Sequence, residues 1–202
     1  MKNNKPHFVL VHGAWHGGWV WTEVAQSLIY QGYSVTCPTQ TGLGERKHLL
    51  SSNITLDTFI KDIVNHIIFN NLENIILVGH SFAGSTISGV ADILKDRINR
   101  LIYFDAVILS DGQSPFDIAP PEVVKERIAL AEKSEGKLSV PAPTPEAFGV
   151  FDIRKSIMLN KQLTPHPIST FQSKLKLKNE IGNGLPLSYI FCTNPVYESL
   201  ES

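Results

Sequence analysis

The apolar run Asn74-Ile75-Ile76-Leu77-Val78 breaks without a linker into Gly79-His80-Ser81-Phe82-Ala83-Gly84, and helix-forming residues continue from Ala83 to Lys95. Strand, tight turn and helix joined in this way form the repeating unit of a parallel α/β sheet. The turn also constrains its own residues. Strand and helix backbones nearly touch there, so the flanking positions must be tiny, and here they are Gly79 and Ala83. Ala83 departs from the strict G-x-S-x-G pattern by one methyl group. In this context the pattern makes a nucleophile elbow, which strains the serine backbone and lifts its hydroxyl clear of the sheet. Ser81 is the first candidate catalytic residue.

The rest of the N-terminal half keeps the same rhythm. Phe8 to Val11 is continuously apolar, as in a strand buried on both faces. A loop rich in glycine and tryptophan, His12 to Trp19, follows it. Thr22 is placed to cap a helix bearing Val24, Ala25, Leu28 and Ile29 on one face, with Gly32 just past its end. Ser34 to Cys37 predicts a short strand stopped by Pro38. Thr55 opens a helix with a core stripe from Leu56 to Ile68. Arg100 to Asp105 is the strand after the elbow unit. The fold class expected is α/β, with a doubly wound, mostly parallel sheet.

From Asp111 to about Asn183 prolines cluster and strand patterns disappear. Short helices are predicted after Pro121 and at Thr164-Pro165. Leu187 to Cys192 restores a strand. One domain spanning 1–202 is expected, with a core at about 6–110 and 184–202 and an insertion at about 111–183 lying over the sheet.

A net charge of -1 with dispersed acids and bases offers no basic stripe, so neither nucleic acid nor membrane is expected as a partner. Cys37 and Cys192 sit in strand-like runs and read as packing residues, with no disulfide framework, metal site or cofactor implied. Gly42-Leu43-Gly44-Glu45-Arg46 lacks the third glycine and the strand-to-helix turn of a dinucleotide site, and reads as a turn near a pocket mouth. The basic N-terminus leads only to a short apolar run, which is strand and not signal peptide, so a cytoplasmic protein is expected.

Three pieces together, Val11 to Trp19, the elbow, and Phe104-Asp105-Ala106 through Ser114, resemble the α/β-hydrolase family. The resemblance is to the branch holding plant methylesterases, hydroxynitrile lyases and bacterial esterase-like relatives. It implies a serine hydrolase with a helical cap, here 111–183. It also implies an oxyanion hole built from backbone N–H groups, here Ala14 and Phe82, which would hold the oxygen that turns negative in a tetrahedral intermediate. Gly13 stands where similar lyases carry a hydroxyl, so ester hydrolysis is favoured over cyanohydrin cleavage.

A serine hydrolase also needs an acid and a histidine, in the order Ser, Asp or Glu, His. Asp105, at the tip of the strand after the elbow strand, is the first choice of acid, ahead of Glu198 and Asp111. Asn194-Pro195 stands where many relatives carry the acid. Only His166 follows Asp105, in a segment read as cap. His80 is expected to point away from Ser81 by strand alternation, and His12, His16, His48 and His66 read as packing or surface groups. Relatives place the histidine after one more strand, and the ten residues beyond Cys192 are too few for a parallel crossover. The fold is therefore expected to lack the last strand and helix, as if cut short, with the triad incomplete. The reading is a hydrolase of a small apolar ester acting through an acyl-serine, impaired for want of a base. Trp15, Phe82, Phe116, Phe148 and Phe151 would supply an apolar pocket. The alternatives are a non-catalytic small-molecule-binding remnant and a hydroxynitrile-lyase-like enzyme. An unpaired last strand also predicts self-association.

Overall fold

The computed structural model describes residues 5–193. The first half of the chain alternates strand and helix: β1 (His7–Val11), α1 (Thr22–Tyr30), β2 (Ser34–Thr36), α2 (Leu56–Phe69), β3 (Ile75–His80), α3 (Ala83–Leu94) and β4 (Ile98–Phe104). The second half holds α4 (Pro115–Ile118), α5 (Pro121–Glu132), β5 (Ser139–Val140), α6 (Ile153–Gln162), β6 (His166–Pro167), α7 (Ile168–Gln172) and β7 (Leu187–Ile190).

Five strands pair in the order β2-β1-β3-β4-β7, every neighbour parallel. From β1 the chain first steps outward to β2, then returns to the other side as β3. That reversal leaves a crevice at the C-terminal ends of β1 and β3, the position where open α/β sheets bind ligands. The loop after β1 and the elbow after β3 flank it.

One sheet face is well covered. Thr55 and Thr58 form a reciprocal capping box, and α2 then buries Leu56, Phe59, Ile60, Ile63, Val64 and Ile67. These pack with α3 over Leu77, Leu101 and Tyr103 of the sheet. Each such side chain contributes about 1.5–3 kcal/mol on burial. The opposite face has a small core of Leu10, Trp21 and Val78. There α1 lies against the sheet through Ala25 and Leu28 only. The expected four-residue stripe is not buried, since Val24 and Ile29 are exposed. Nor does Thr22 cap α1 as expected: its hydroxyl donates to the Trp19 carbonyl at 2.7 Å.

The insertion departs from its sequence reading in two places. It contains strands, because β5 and β6 pair antiparallel through Val140 and His166. The helix expected at Thr164-Pro165 begins only at Ile168. Thr164 is used elsewhere, its amide donating to the Trp15 carbonyl at 3.0 Å and its hydroxyl accepting from Gly44 N–H at 3.1 Å. Leu187, Tyr189 and Ile190 of β7 are exposed.

Candidate active site

Ser81 follows the last residue of β3 with a φ of +52°, left-handed backbone that a non-glycine residue adopts at a cost of about 1–3 kcal/mol. Three hydrogen bonds hold it there. Its N–H donates to the Phe104 carbonyl at 3.1 Å, and its carbonyl accepts from Gly84 N–H at 3.1 Å and Val107 N–H at 3.0 Å. Close approach is built in: a Cβ on Gly79 would lie 2.8 Å from the Ala83 carbonyl oxygen, and one on Gly84 would lie 2.1 Å from that of Val107. The extra methyl of Ala83 is accommodated, while Gly84 has no room for one.

Phe104 and Val107, the residues bonded to Ser81, bracket Asp105. Asp105 also has a positive φ, +44°, at the tip of β4, and is 9% exposed. Its N–H donates to Ile190 O at 2.8 Å, and its carboxylate Oδ1 accepts from Cys192 N–H at 3.4 Å. Ser81 and Asp105 thus occupy equivalent tips of adjacent strands, whose backbones run about 4.8 Å apart. Both line a cavity of about 430 Å3 beneath the insertion, with Ala14 and Phe82 also on its wall.

The loop after β1 is oriented by three histidines. A trans peptide points its C=O and N–H in opposite directions, so fixing one end aims the other. His12 Nε2 accepts from Gln40 N–H at 3.0 Å, which leaves Nδ1–H to donate to the Gly13 carbonyl at 2.8 Å. That carbonyl shares its peptide with Ala14 N–H. In the next peptide, His16 Nδ1 donates to Ala14 O at 2.6 Å, and Trp15 N–H donates to His166 Nδ1 at 3.4 Å. His166 Nε2 then donates to Thr170 Oγ1 at 2.7 Å, and that hydroxyl donates to Pro167 O at 2.8 Å. Trp15 itself has a φ of +64°, and its indole N–H donates to Val140 O at 3.1 Å. Among the described residues neither Ala14 N–H nor Phe82 N–H has a protein acceptor.

Burial keeps these imidazoles neutral. His12 is pushed down to about 3, chiefly by desolvation, and His166 and His16 are lowered for the same reason. His80 is lowered to about 4, with its enclosure first and His16 second, although the residue as a whole is only part-buried.

His80 keeps to the expected strand alternation, its ring against Trp21 and Phe104 at 6.2 and 5.4 Å on the face of Leu10 and Val78, although the residue also borders the cavity. Several other sequence expectations are corrected by this geometry. His166 has both ring nitrogens engaged and does not line the cavity, so it is an anchor of the loop. Asp111 is spent on Leu177 N–H, 2.8 Å away. Of the expected pocket aromatics, Trp15, Phe82 and Phe148 line the cavity. Phe116 stacks on Phe171 at 5.6 Å behind the wall, and Phe151 is exposed. Cys192 is on the cavity wall and not merely packing. None of residues 42–46 reaches the cavity. Gly44 instead packs against Gly17, and Arg46 pairs with Asp62 at 3.3 Å. Asn194, Pro195 and Glu198 lie outside the described residues. Three features escaped sequence reading: the orienting role of His12 and His166, and the presence of Arg127 on the wall. The first two depend on partners up to 151 residues away in the chain.

A parallel sheet with a strained serine at the strand-to-helix turn and an insertion roofing its crevice defines an α/β hydrolase. Residues 8–168 match the alpha/beta hydrolase family. The chain is 38% identical over 179 residues to a carbendazim hydrolyzing esterase of Nocardioides sp. (strain SG-4G), covering 85% of this chain and 73% of that one. It is 35% identical over 119 residues to a putative chloroplastic methylesterase 14 of Arabidopsis thaliana, a match spanning 57% of this chain and 34% of the relative. Among solved structures it superposes on an extracellular α/β-hydrolase from a Paenibacillus species, described as sharing structural and functional homology with tobacco salicylic acid binding protein 2. The TM-score is 0.83 at 33% identity, over 94% of this chain and 78% of that one. The chain belongs to the alpha/beta hydrolase family, in its esterase- and methylesterase-like part.

Proposed function

We propose that this chain carries the ester-binding and nucleophilic site of a small-molecule carboxylic ester hydrolase. Ser81 attacks the acyl carbon, the amides of Ala14 and Phe82 receive the oxyanion, and Asp105 is the acid that orients a base. The observation that carries this reading is the pairing of two left-handed strand tips, Ser81 and Asp105, on one largely apolar cavity wall. Esterase relatives of related sequence support the substrate class, and no cofactor enters the scheme.

The base is the slow point. Among the described residues no imidazole is hydrogen-bonded to Ser81 or Asp105, and His166 is fully engaged. Removing the histidine of a comparable triad lowers turnover on the order of a million-fold, with about a thousand-fold over water retained by the oxyanion hole and binding. The chain alone is therefore expected to hydrolyse p-nitrophenyl acetate or butyrate barely above background, with the residual rate lost in Ser81→Ala. Robust turnover that survives Ser81→Ala would overturn the assignment of the nucleophile. Robust turnover that Ser81→Ala abolishes would show that a base is in place, and His16, on the same wall, is the first to mutate. The same missing contact favours the second reading, a small-molecule-binding protein without turnover.

A further inference from the structure

One nitrogen of the His16 ring is spent and the other is open. Nδ1 donates to the Ala14 carbonyl at 2.6 Å, which fixes the ring proton there and leaves Nε2 with a lone pair and no hydrogen. Among the described residues Nε2 has no hydrogen-bond partner. Nor is it one of the sealed interior nitrogens that lack a partner, such as the indole nitrogens of Trp19 and Trp21. His16 is 6% exposed and lines the Ser81 cavity, so that lone pair faces the cavity. The ring is held in place on several sides. Phe148 of the insertion packs edge-on to it with centroids 5.3 Å apart, Trp19 lies at 5.5 Å and His80 at 6.5 Å.

Burial holds this imidazole below the usual histidine range, so Nε2 stays unprotonated near neutral pH. A neutral acceptor fixed on a largely apolar wall discriminates by what a ligand brings to it. Any ligand that fills the cavity displaces water from Nε2. One with an O–H or N–H in reach replaces the lost hydrogen bond, and one without leaves the acceptor bare. Sites built to bond a donor reject analogues lacking it far more strongly than apolar pockets reject a change of size. The anchor sets the position. The ring is tied to Ala14, whose N–H is read as an oxyanion donor, so Nε2 is held near the ester carbonyl and not at a remote rim.

We infer that His16 is a specificity residue that selects esters carrying a hydroxyl or N–H donor on their acid part, with Nε2 as the acceptor of that donor. This rests on the ester-binding reading of the Ser81 cavity. With the acyl carbon at Ser81 and its oxygen toward the amides of Ala14 and Phe82, the acid part extends along the wall that His16 helps to form. Alkylating the donor removes the hydrogen bond and adds bulk, whereas replacing it by hydrogen removes the bond alone. In this role the lone pair is taken by the bound ester and does not serve Ser81 as a base.

The test is equilibrium binding, measured calorimetrically on the Ser81→Ala chain so that esters stay intact. The probes are methyl 3-hydroxybutyrate, methyl 3-hydroxybenzoate, methyl 4-hydroxybenzoate and methyl pyrrole-2-carboxylate. Each is compared with its O- or N-methylated form, and each hydroxy ester also with its deoxy parent. The range of donor positions keeps the result from hanging on one spacing. At least one donor ester is expected to bind about tenfold or more tighter than its mates. Adding His16→Asn puts an amide N–H where Nδ1–H stands, which keeps the bond to Ala14 but removes the acceptor, and is expected to abolish the preference. Adding His16→Gln, whose Oε1 reaches the place of Nε2, should retain part of it. Equal affinity within every set, or no binding of any probe, overturns the inference. So does a preference that survives His16→Asn, and so does equal weakening of a donor ester and its mates, which would make His16 only a brace for the loop. Should His16→Asn fail to fold, nitrogen NMR of the Ser81→Ala chain labelled in its imidazoles decides. The bound donor ester should move the His16 Nε2 resonance toward the hydrogen-bonded position and its methylated mate should not, and an unmoved resonance overturns the inference. A binding cavity without donor preference would leave the ester-hydrolase reading standing, since that reading is judged by Ser81-dependent release of p-nitrophenol.

Discussion

Ser81 and Asp105 owe their position to glycines as much as to their own chemistry. An alanine is ordinarily better than glycine in a helix by up to about 1 kcal/mol. At Gly84 the added methyl would meet backbone, the Val107 carbonyl, at 2.1 Å, and no side chain is there to swing aside. Gly84→Ala is therefore expected to lose about 3 kcal/mol or more in urea unfolding and to disturb Asp105 through the loop it pushes. Gly112→Ala meets nothing within 4 Å and carries only the strain of a φ of +77°, so a loss of about 1–2 kcal/mol is expected. Equal losses at the two positions would contradict the close-approach argument. The elbow was legible in sequence at this scale because the requirement for small residues is local. The histidines were not, since a buried His166 bonded to Trp15 and Thr170 looks identical in sequence to a surface one.

At the scale of elements, the loop after β1 ties the sheet to the insertion through neutral imidazoles, and that sets a pH dependence. His12, His16, His80 and His166 all have folded pKa values below that of an unfolded histidine, about 6.5. The unfolded chain thus binds protons that the folded chain refuses. Their contribution is fully present above about pH 6.5 and is lost as pH falls toward the folded values, about 4 for His80 and about 3 for His12. Each fully refused proton steepens the loss by about 1.4 kcal/mol per pH unit. Stability from urea unfolding is expected to drop by at least about 2 kcal/mol between pH 7.5 and pH 5. A flat profile over that window would contradict the neutral assignment. The helices show where periodicity is a safe guide: α2 has its partner α3 beside it in sequence and buries the stripe that was read. On α1 a similar pattern of Val24 and Ile29 stays exposed, because amphipathicity records a tendency to be covered and not the presence of a cover. Thr164 misled for a related reason. Its capping chemistry was real, but it was used on the Trp15 and Gly44 backbones.

For the whole molecule, the sheet order was readable in outline because alternating strands and helices allow few topologies. Of the roof, its place over the sheet and the helix after Pro121 were readable, whereas β5, β6 and the start of α7 were not, being short elements without a period. Among the described residues β7 pairs with β4 alone, and Leu187, Tyr189, Ile190 and Phe191 are exposed beside it. An apolar edge of this kind recruits other strands, so the chain expressed alone is expected to self-associate, with Ile190→Lys reducing it. A monodisperse monomer in sedimentation velocity at both low and high concentration would count against this. The central claim, that Ser81 is a nucleophile set in an ester-binding crevice, is tested most directly by finding where an activated ester leaves its acyl group. Among the described residues no imidazole is hydrogen-bonded to Ser81, so both half-reactions lack a base. p-Nitrophenolate leaves without an acid's help, whereas deacylation must activate water, so the acyl-serine should build up slowly. After long incubation with p-nitrophenyl butyrate and an acid quench, peptide mapping by mass spectrometry is expected to find the butyryl group on Ser81 well above its level on any lysine. The Ser81→Ala chain should carry none on that peptide. An unmodified Ser81, with acyl groups only on lysines or on His16, would contradict the account.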